Sequence, residues 1–455
     1  MSRRIEIHDT LSGKLQRLQP VRLRGDRFHV GVYACGPTVY SRIHIGNARP
    51  FVIFSLLKRF LEYEGYSVDL VVNVTDINDK IYAAAVARSC ASAELATEMT
   101  ALYIADTDAL ALGRPDHEPL ASETIEEIVA HIATLIERDH AYAVGGDVYF
   151  RVRSDGDYGT LSHRNPDDMD QGEGVEGADL KRDPLDFALW KAHKQGEDTK
   201  WPSPWGEGRP GWHIECSAMA EKLLGVPVDI HGGGSDLVFP HHENEAAQTR
   251  AARGQELASI WMHNGMIQST GEKMAKSVGN IAPLHEVVAE YGAEAVVMYL
   301  ISGHYRQPLV YSEAVLAQAL ANVRRIREAA RRLSPGAPSP GDLESLRDGF
   351  FDALANDFNT AMALGYLNEW IADATSPLFD APGDAHLREM LGVLGLERLL
   401  DPVAAAPETV RELADRRERA RAARDFAAAD SLREEIAAHG WEVRDVQGGF
   451  ELLPR

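Results

Sequence analysis

The segment His241-His242-Glu243-Asn244-Glu245 sets an imidazole, His241, and a carboxylate, Glu245, at positions i and i+4. On a helix that spacing brings both to one face, where they can hold a single metal ion. The segment is not the His-Glu-x-x-His zincin signature, since His242 follows His241 and no histidine stands at 245. Two of the chain's three cysteines are placed to join it: Cys216 on a helix-patterned run upstream, and Cys35 at the end of a strand-patterned run. Two thiolates, an imidazole and a carboxylate suit zinc, a borderline-soft ion that accepts sulfur, nitrogen and oxygen. The competing reading makes Cys216 a buried packing residue and the 241–245 charges a solvated face; spacing alone does not choose. Cys90, in an alanine-rich helical stretch, reads as packing.

Two further segments could handle phosphate. His44-Ile45-Gly46-Asn47 falls where a strand should turn into a helix. Gly46 lets a ligand approach the backbone, and free N–H groups at a helix start favour phosphate oxygens. Pro50 then sits in the first turn, where its missing N–H costs little. His44 and Asn47 would stand beside a nucleotide as donors, although a plain surface turn has the same composition. The segment 272–277, EKMAKS, carries Lys273 and Lys276 on a polar loop. Such lysines can neutralise charge in a phosphoryl-type transition state, or simply be solvated. Gly232-Gly233-Gly234-Ser235 lacks the Gly-Lys-Ser/Thr of a Walker loop.

The elements that must position these residues are legible in outline. RFHVGVYACG (27–36) is a buried strand, and Phe51, Phe54, Leu57 and Leu61 follow at helical spacing. SVDLVVNVT (67–75) is a second strand, which completes a βαβ unit and implies a parallel sheet with a right-handed crossover. Ligands bind at the carboxyl ends of such strands, where Cys35 and Thr75 fall. The pattern is helical from about Ile81 to Arg138, then strand at 147–152; residues 154–184 read as an exposed insertion. A helix over GWHIECSAMAEKLLG, a strand at VPVDIH, a tight loop at GGGSD, a helix from FPHHENE and a strand at SIWMHNGMI follow. Leu316, Leu320, Val323, Ile326, Ala330 and Leu333 mark one face of a helix, SPGAPSPG (334–341) a linker, and Pro407–Ala438 one long helix before a hairpin.

Composition narrows the class. A chain of 455 residues needs two to four domains. Three scattered cysteines make no disulfide framework and suit a reducing compartment. The start, MSRRIEIHDT, lacks a signal peptide's apolar core, and no apolar run approaches the roughly 20 residues of a membrane span, so a cytoplasmic protein is expected. The net charge of -22 argues against a general basic surface for nucleic acid.

Together, and in this order, CGPTVY, HIGN, GWHIECSAM, HGGGSDLVFPHHENE and KMAKS closely resemble the cysteinyl-tRNA synthetases, a class I aminoacyl-tRNA synthetase family. The resemblance covers essentially the whole chain, including DFNTA at 357–361. It implies an α/β fold: a Rossmann-like parallel-sheet catalytic core with an insertion, a helical bundle, and a small C-terminal α+β module. The expected division is 1–315 with a connective insertion at 120–200, 316–400, and 401–455 for anticodon recognition. The resemblance implies zinc, one per chain, on Cys35, Cys216, His241 and Glu245, taking the substrate's thiolate as an added ligand. It implies that His44, Gly46 and Asn47 meet ATP, that Lys273 and Lys276 stabilise the transition state, and that Gly36, Thr75, Trp212 and Asp236 form the amino-acid pocket. L-cysteine, ATP with Mg²⁺ and a cysteine-specific tRNA are the implied partners of a monomer. Two departures stand out: Asn47 replaces the family's second histidine, and Ala275 a serine. Both suggest modest kinetic effects.

Two rivals are a ligase joining cysteine to an amino-sugar inositol, which would carry a much reduced C-terminal region, and a silent zinc- and RNA-binding paralogue. The long C-terminal segment disfavours the first, and retention of His44, Lys276 and all four ligands the second. The charge also reads differently in detail. Arg324, Arg325, Arg327, Arg331 and Arg332 share eleven residues with one acid, Glu328. They form either a solvated face or a ridge for RNA phosphates. Residues 401–455 carry 9 Arg and 12 acids, so recognition there must use placed side chains and stacking.

Overall fold

The computed structural model describes residues 3–169, 178–269, 272–273, 282–401, 406–446 and 449–454. They form two compact units, Met1–Leu399 and Leu400–Arg455.

In the first unit the β-branched run becomes strand β1 (Arg27–Ala34), buried from His29 onward. Helix α1 (Ile45–Tyr63) leads back to β2 (Ser67–Val72), which pairs parallel with β1 from His29↔Ser67 to Ala34↔Val72. The second half repeats the pattern with α2 (Trp212–Leu224), β3 (Val228–Gly234), α3 (Glu243–Arg253) and β4 (Ala258–Asn264). β3 pairs parallel with both β1 and β4, so the parallel order is β4-β3-β1-β2. A short antiparallel strand, Arg22–Arg24, flanks the start of β1. β1 and β3 are the central neighbours, with β2 beyond one and β4 beyond the other. They stay paired to their carboxyl ends, where Cys35 N–H donates to the Gly232 carbonyl (3.0 Å); sheets of this kind take their ligands at that end. This is the expected Rossmann-like α/β core. Beyond it, β5 (Ile267–Ser269) pairs antiparallel with β6 (Glu272–Lys273) and parallel with β7 (Leu309–Tyr311). Helix α4 (Glu313–Ala330) then buries Leu316, Val323 and Ile326, the face its spacing predicts.

Several local expectations need correction. The glycines of GGGSD extend β3 instead of forming a loop: a Cβ on Gly232 would lie 1.8 Å from the Met262 carbonyl oxygen, so only glycine admits that approach. α1 begins at Ile45, which makes Pro50 its sixth residue and not part of a first turn; the Gly46 carbonyl consequently has no helical donor. The region 154–184 is not simply exposed, since Tyr158 and Leu161 join the core. Ser334–Gly341 is hydrogen-bonded to the 381–384 turn, with Ser334 N–H donating to the Pro382 carbonyl (2.8 Å) and Gly336 N–H to Asp384 (2.7 Å).

In the second unit the expected single helix is two, Glu408–Ala422 and Phe426–Ala438. Arg424 takes φ 61° between them, and Asp425 caps the second by accepting from Ala428 N–H. Val410, Leu413, Leu432, Ile436 and Val443 pack the helices on the antiparallel hairpin Trp441–Val446 and Gly449–Pro454. Among the described residues no helix is long and apolar enough to cross a membrane.

Candidate metal centre

Cys35 leaves the end of β1, and its position depends on the glycine beside it. Gly36 N–H donates to Asn73 Oδ1 (2.9 Å), and a Cβ at Gly36 would lie 1.8 Å from the Asn73 carbonyl oxygen. Asn73 Nδ2 in turn donates to Thr75 Oγ1 (3.3 Å), so Gly36 and Thr75 are held through one side chain. Cys216 comes from the first turns of α2, where the helix passes the β1 end. Its Sγ lies 3.7 Å from Cys35 Sγ.

His241 and Glu245 meet differently from the expected helix face. Val238–His242 is a wide turn with Phe239 extended, and the regular helix α3 starts only at Glu243. His241 Nε2 still lies 2.9 Å from Glu245 Oε1. All five residues His241–Glu245 are buried, which overturns the solvated reading of that segment. Glu243 accepts from Ser162 N–H (2.8 Å) and Asn244 from Tyr158 OH (2.5 Å), so the 154–169 stretch is what covers them.

Among the described residues, Cys35, His241, His242 and Glu245 each bring a ligand atom within 4.8 Å of the others. His242 is the residue sequence reasoning missed, despite standing beside His241. Its Nε2 is 3.2 Å from Cys35 Sγ and its Nδ1 2.7 Å from His263 Nε2. Two more unexpected histidines complete the shell. His231 Nε2 lies 3.1 Å from Glu245 Oε2, and His213 Nδ1 lies 3.0 Å from His241 Nδ1. Trp212 stacks on His241 with centroids 4.2 Å apart.

Burial raises the Cys35 thiol well above its ordinary range, and Cys216 and Glu245 add to the rise. Burial pushes Glu245 upward too, but His241 and His231 outweigh it and hold the carboxyl well below its usual value. Burial alone would lower His241, whereas Glu245 and Cys216 keep it protonated at neutral pH. A cluster in which thiols, a carboxylate and imidazoles compete for few protons in a dry site is the environment that a divalent cation relieves. The donor set fits a metal ion with mixed sulfur, nitrogen and oxygen preference.

Beside the cluster is a cavity of about 290 Å³ lined by Thr38, Asn78, Trp212, His213, Lys191 and Arg209 among others. Asp236 is exposed in the turn that follows β3, its Oδ1 2.6 Å from where a Gly234 Cβ would stand. His44 caps α1: its Nδ1 accepts from Gly46 N–H (3.1 Å), and Asn47 Oδ1 accepts from His44 N–H (3.2 Å). This is a reciprocal capping box, with Asn47 in the arm usually taken by Glu or Gln. Lys273 lies in β6, whereas Ala275 and Lys276 lie outside the described residues.

A family model for the class I (C) tRNA synthetase catalytic domain matches residues 23–321. The chain belongs to this family. Among similar full-length relatives is the cysteine–tRNA ligase of Caldicellulosiruptor saccharolyticus, 41% identical over 98% of this chain and 99% of that one. The cysteine–tRNA ligase of Alkalilimnicola ehrlichii is 45% identical over 97% and 98%. Similar folds occur in Mycobacterium tuberculosis methionyl-tRNA synthetase in complex with methionyl-adenylate, with TM-score 0.56 and 16% identity over 82% of this chain and 89% of that one. A LeuRS from Agrobacterium radiobacter K84, in a ternary complex with tRNA and LeuAMS, gives 0.60 and 11% over 95% and 97%. The thiol–imidazole–carboxylate cluster lies past the carboxyl ends of β1 and β3, the edge at which parallel α/β sheets take their ligands.

Proposed function

We propose that the chain is a cysteine–tRNA ligase. The carboxylate of L-cysteine attacks the α-phosphorus of ATP, forming cysteinyl-adenylate and releasing pyrophosphate. A terminal ribose hydroxyl of the cysteine-specific tRNA then takes the cysteinyl group and AMP departs. The observation that carries this reading is the buried cluster of Cys35, Cys216, His241, His242 and Glu245 at the carboxyl ends of β1 and β3. Full-length similarity to cysteine–tRNA ligases supports it over the inositol ligase and the silent paralogue.

Cys35, Cys216, His241 and Glu245 would hold one zinc ion, which when bound supplies a soft position for the substrate's thiolate. A pocket that sorts by size alone discriminates by only about 1–3 kcal/mol per methylene, whereas a required ligand atom excludes serine far more strongly. Trp212 closes one side of that position by stacking on His241. Gly36, Thr75 and Asp236 border the amino-acid pocket. His44, Gly46 and Asn47 present the amino terminus of α1 to the ATP phosphates, which Mg²⁺ accompanies. Lys273 and Lys276 offset the charge that builds on the phosphates. Residues 1–315, 316–400 and 401–455 serve as catalytic, helical and anticodon-recognition domains of a cytoplasmic monomer, and the arginines of 324–332 lie along the RNA.

The test is charging of cysteine-specific tRNA by the pure protein, alongside cysteine-dependent ATP–pyrophosphate exchange. Both activities are expected. Exchange without charging, together with transfer of cysteine to an amino-sugar inositol, would turn the assignment to that ligase. A zinc-loaded protein without exchange would leave the silent paralogue.

A further inference from the structure

Arg49 is fully buried, yet its hydrogen bonds go to backbone carbonyls. Nη1 donates to Gly265 (2.5 Å) and to Gln307 (2.7 Å), and Nη2 to His304 (3.2 Å). Nε has no partner. Burial lowers the guanidinium to about 10, which leaves it charged at neutral pH. A buried charge without a carboxylate is costly, and an apolar side chain of similar volume would serve stability as well or better. What an apolar residue would not supply is a planar fork that fixes two separate loops relative to one helix.

Those loops are the roots of the strands beyond the sheet. Gly265 lies two residues before β5 and Gln307 two residues before β7, and β5 and β7 pair in parallel. The two roots touch: Gly265 N–H donates to the Tyr305 carbonyl (2.8 Å), and a Cβ on Gly265 would lie 2.5 Å from the Gln307 carbonyl carbon. β5 continues into β6, where the EKMAKS segment begins. The segment's exit is tied to the same helix start. Ile45 N–H donates to the Ala282 carbonyl (3.0 Å) and Leu284 N–H to the Ile43 carbonyl (3.2 Å). Thus the start of α1, which carries His44 and Asn47, contacts the chain on both sides of the lysine segment, at Gly265 before it and at Ala282 after it.

We infer that Arg49 is a positioning residue for adenylate formation: its fork sets the roots of β5 and β7, and through β5 the strand that carries Lys273, in register with the HIGN turn. If the chain activates cysteine with ATP, as proposed above, the two phosphate-facing segments must be held in one geometry during the first step. Transfer to tRNA follows after pyrophosphate has left and does not need that register.

The experiment compares Arg49→Met and Arg49→Lys with the parent chain. It measures steady-state exchange and, separately, single-turnover transfer to tRNA from adenylate accumulated on the enzyme with pyrophosphatase present. A displacement near 1 Å can cost about 100-fold in rate, so kcat for exchange should fall by about that factor in Arg49→Met. Arg49→Lys keeps the charge but not the fork and should lose about tenfold. The cysteine KM and the transfer rate should stay within about threefold of the parent, a split that general loosening of the fold would not produce. Unchanged exchange in both variants overturns the inference, as does a parallel fall in exchange and transfer. Failure of both variants to fold also overturns it, because it assigns Arg49 to the fold alone. A parent chain that shows no cysteine-dependent exchange would refute the reading of the chain itself.

Discussion

At the scale of single residues, the cluster offers five donors where the sequence motifs name four. Zinc takes four ligands in closed sites and keeps a position open in sites that bind substrate. Cys216 and His242 are therefore separable by measurement. Cys216→Ser should weaken zinc binding by at least about 100-fold, beyond the 10–100-fold typical of an outer partner, and should raise the cysteine KM with it. His242→Ala should fall within the outer-partner range; zinc affinities in the opposite order would put His242 in the ligand set. His213 would act on a bound metal through His241, whose Nδ1 lies 3.0 Å from its own. His213→Ala should likewise cost about 10–100-fold in zinc affinity, and unchanged metal content would deny it that role. The Asn47 departure has a local explanation. Its Oδ1 closes the capping box that orients His44, a task that requires an acceptor and no positive charge.

At the scale of elements, the DFNTA segment shows how one turn is stabilised. Asp357 and Phe358 take φ 60° and 44° between the helices Glu344–Ala355 and Thr360–Ala374, a conformation non-glycine residues seldom adopt. Asp357 compensates by accepting from His8 N–H (2.8 Å), Tyr305 OH (2.8 Å) and Arg306 Nη2 (2.7 Å), with His304 beside it. Burial would raise its carboxyl, but these donors hold it at about 2, below the ordinary 3.8. Because the folded value is depressed, the contribution is present in full above the unfolded value of 3.8 and disappears as pH falls toward 2. Asp357→Asn should cost about 1.5–3 kcal/mol at neutral pH, the range for hydrogen bonds to a charged group. Denaturant titrations should show that difference shrinking between pH 4 and pH 2; a constant difference would mean the charge plays no part. This interaction was half legible: DFNT stood out as a motif, but its partners at His8 and 304–306 lie far away in sequence.

At the scale of the whole molecule, a net charge of -22 and an RNA partner are compatible only if the positive charge is local. Arg324, Arg325, Arg331 and Arg332 are exposed in and just after α4, while its buried face is apolar. Each phosphate contact removed should make the salt dependence of binding shallower by about one unit of log K against log salt. The double variant Arg324→Gln, Arg332→Gln should thus reduce the slope for tRNA binding by up to about 2 and leave pyrophosphate exchange intact. An unchanged slope would return these arginines to a solvated face.

The sequence by itself determined the alternation of strand and helix, the two halves of the sheet, and the chemical types of the cluster's donors. Periodicity and motif spacing act over a few turns, which is why these features are local enough to read. The tertiary structure alone decided what stands together. Cys35 meets Cys216 across 181 residues and Glu245 across 210, and nothing in the intervening chain specifies those contacts. It likewise turned five charged or polar residues at 241–245 inward, recruited His213 and His231 around them, and set Arg49 against the residues that precede β5 and β7. Those arrangements follow from parallel strands whose carboxyl ends share one edge of the sheet, a consequence of sheet topology that no window of sequence contains.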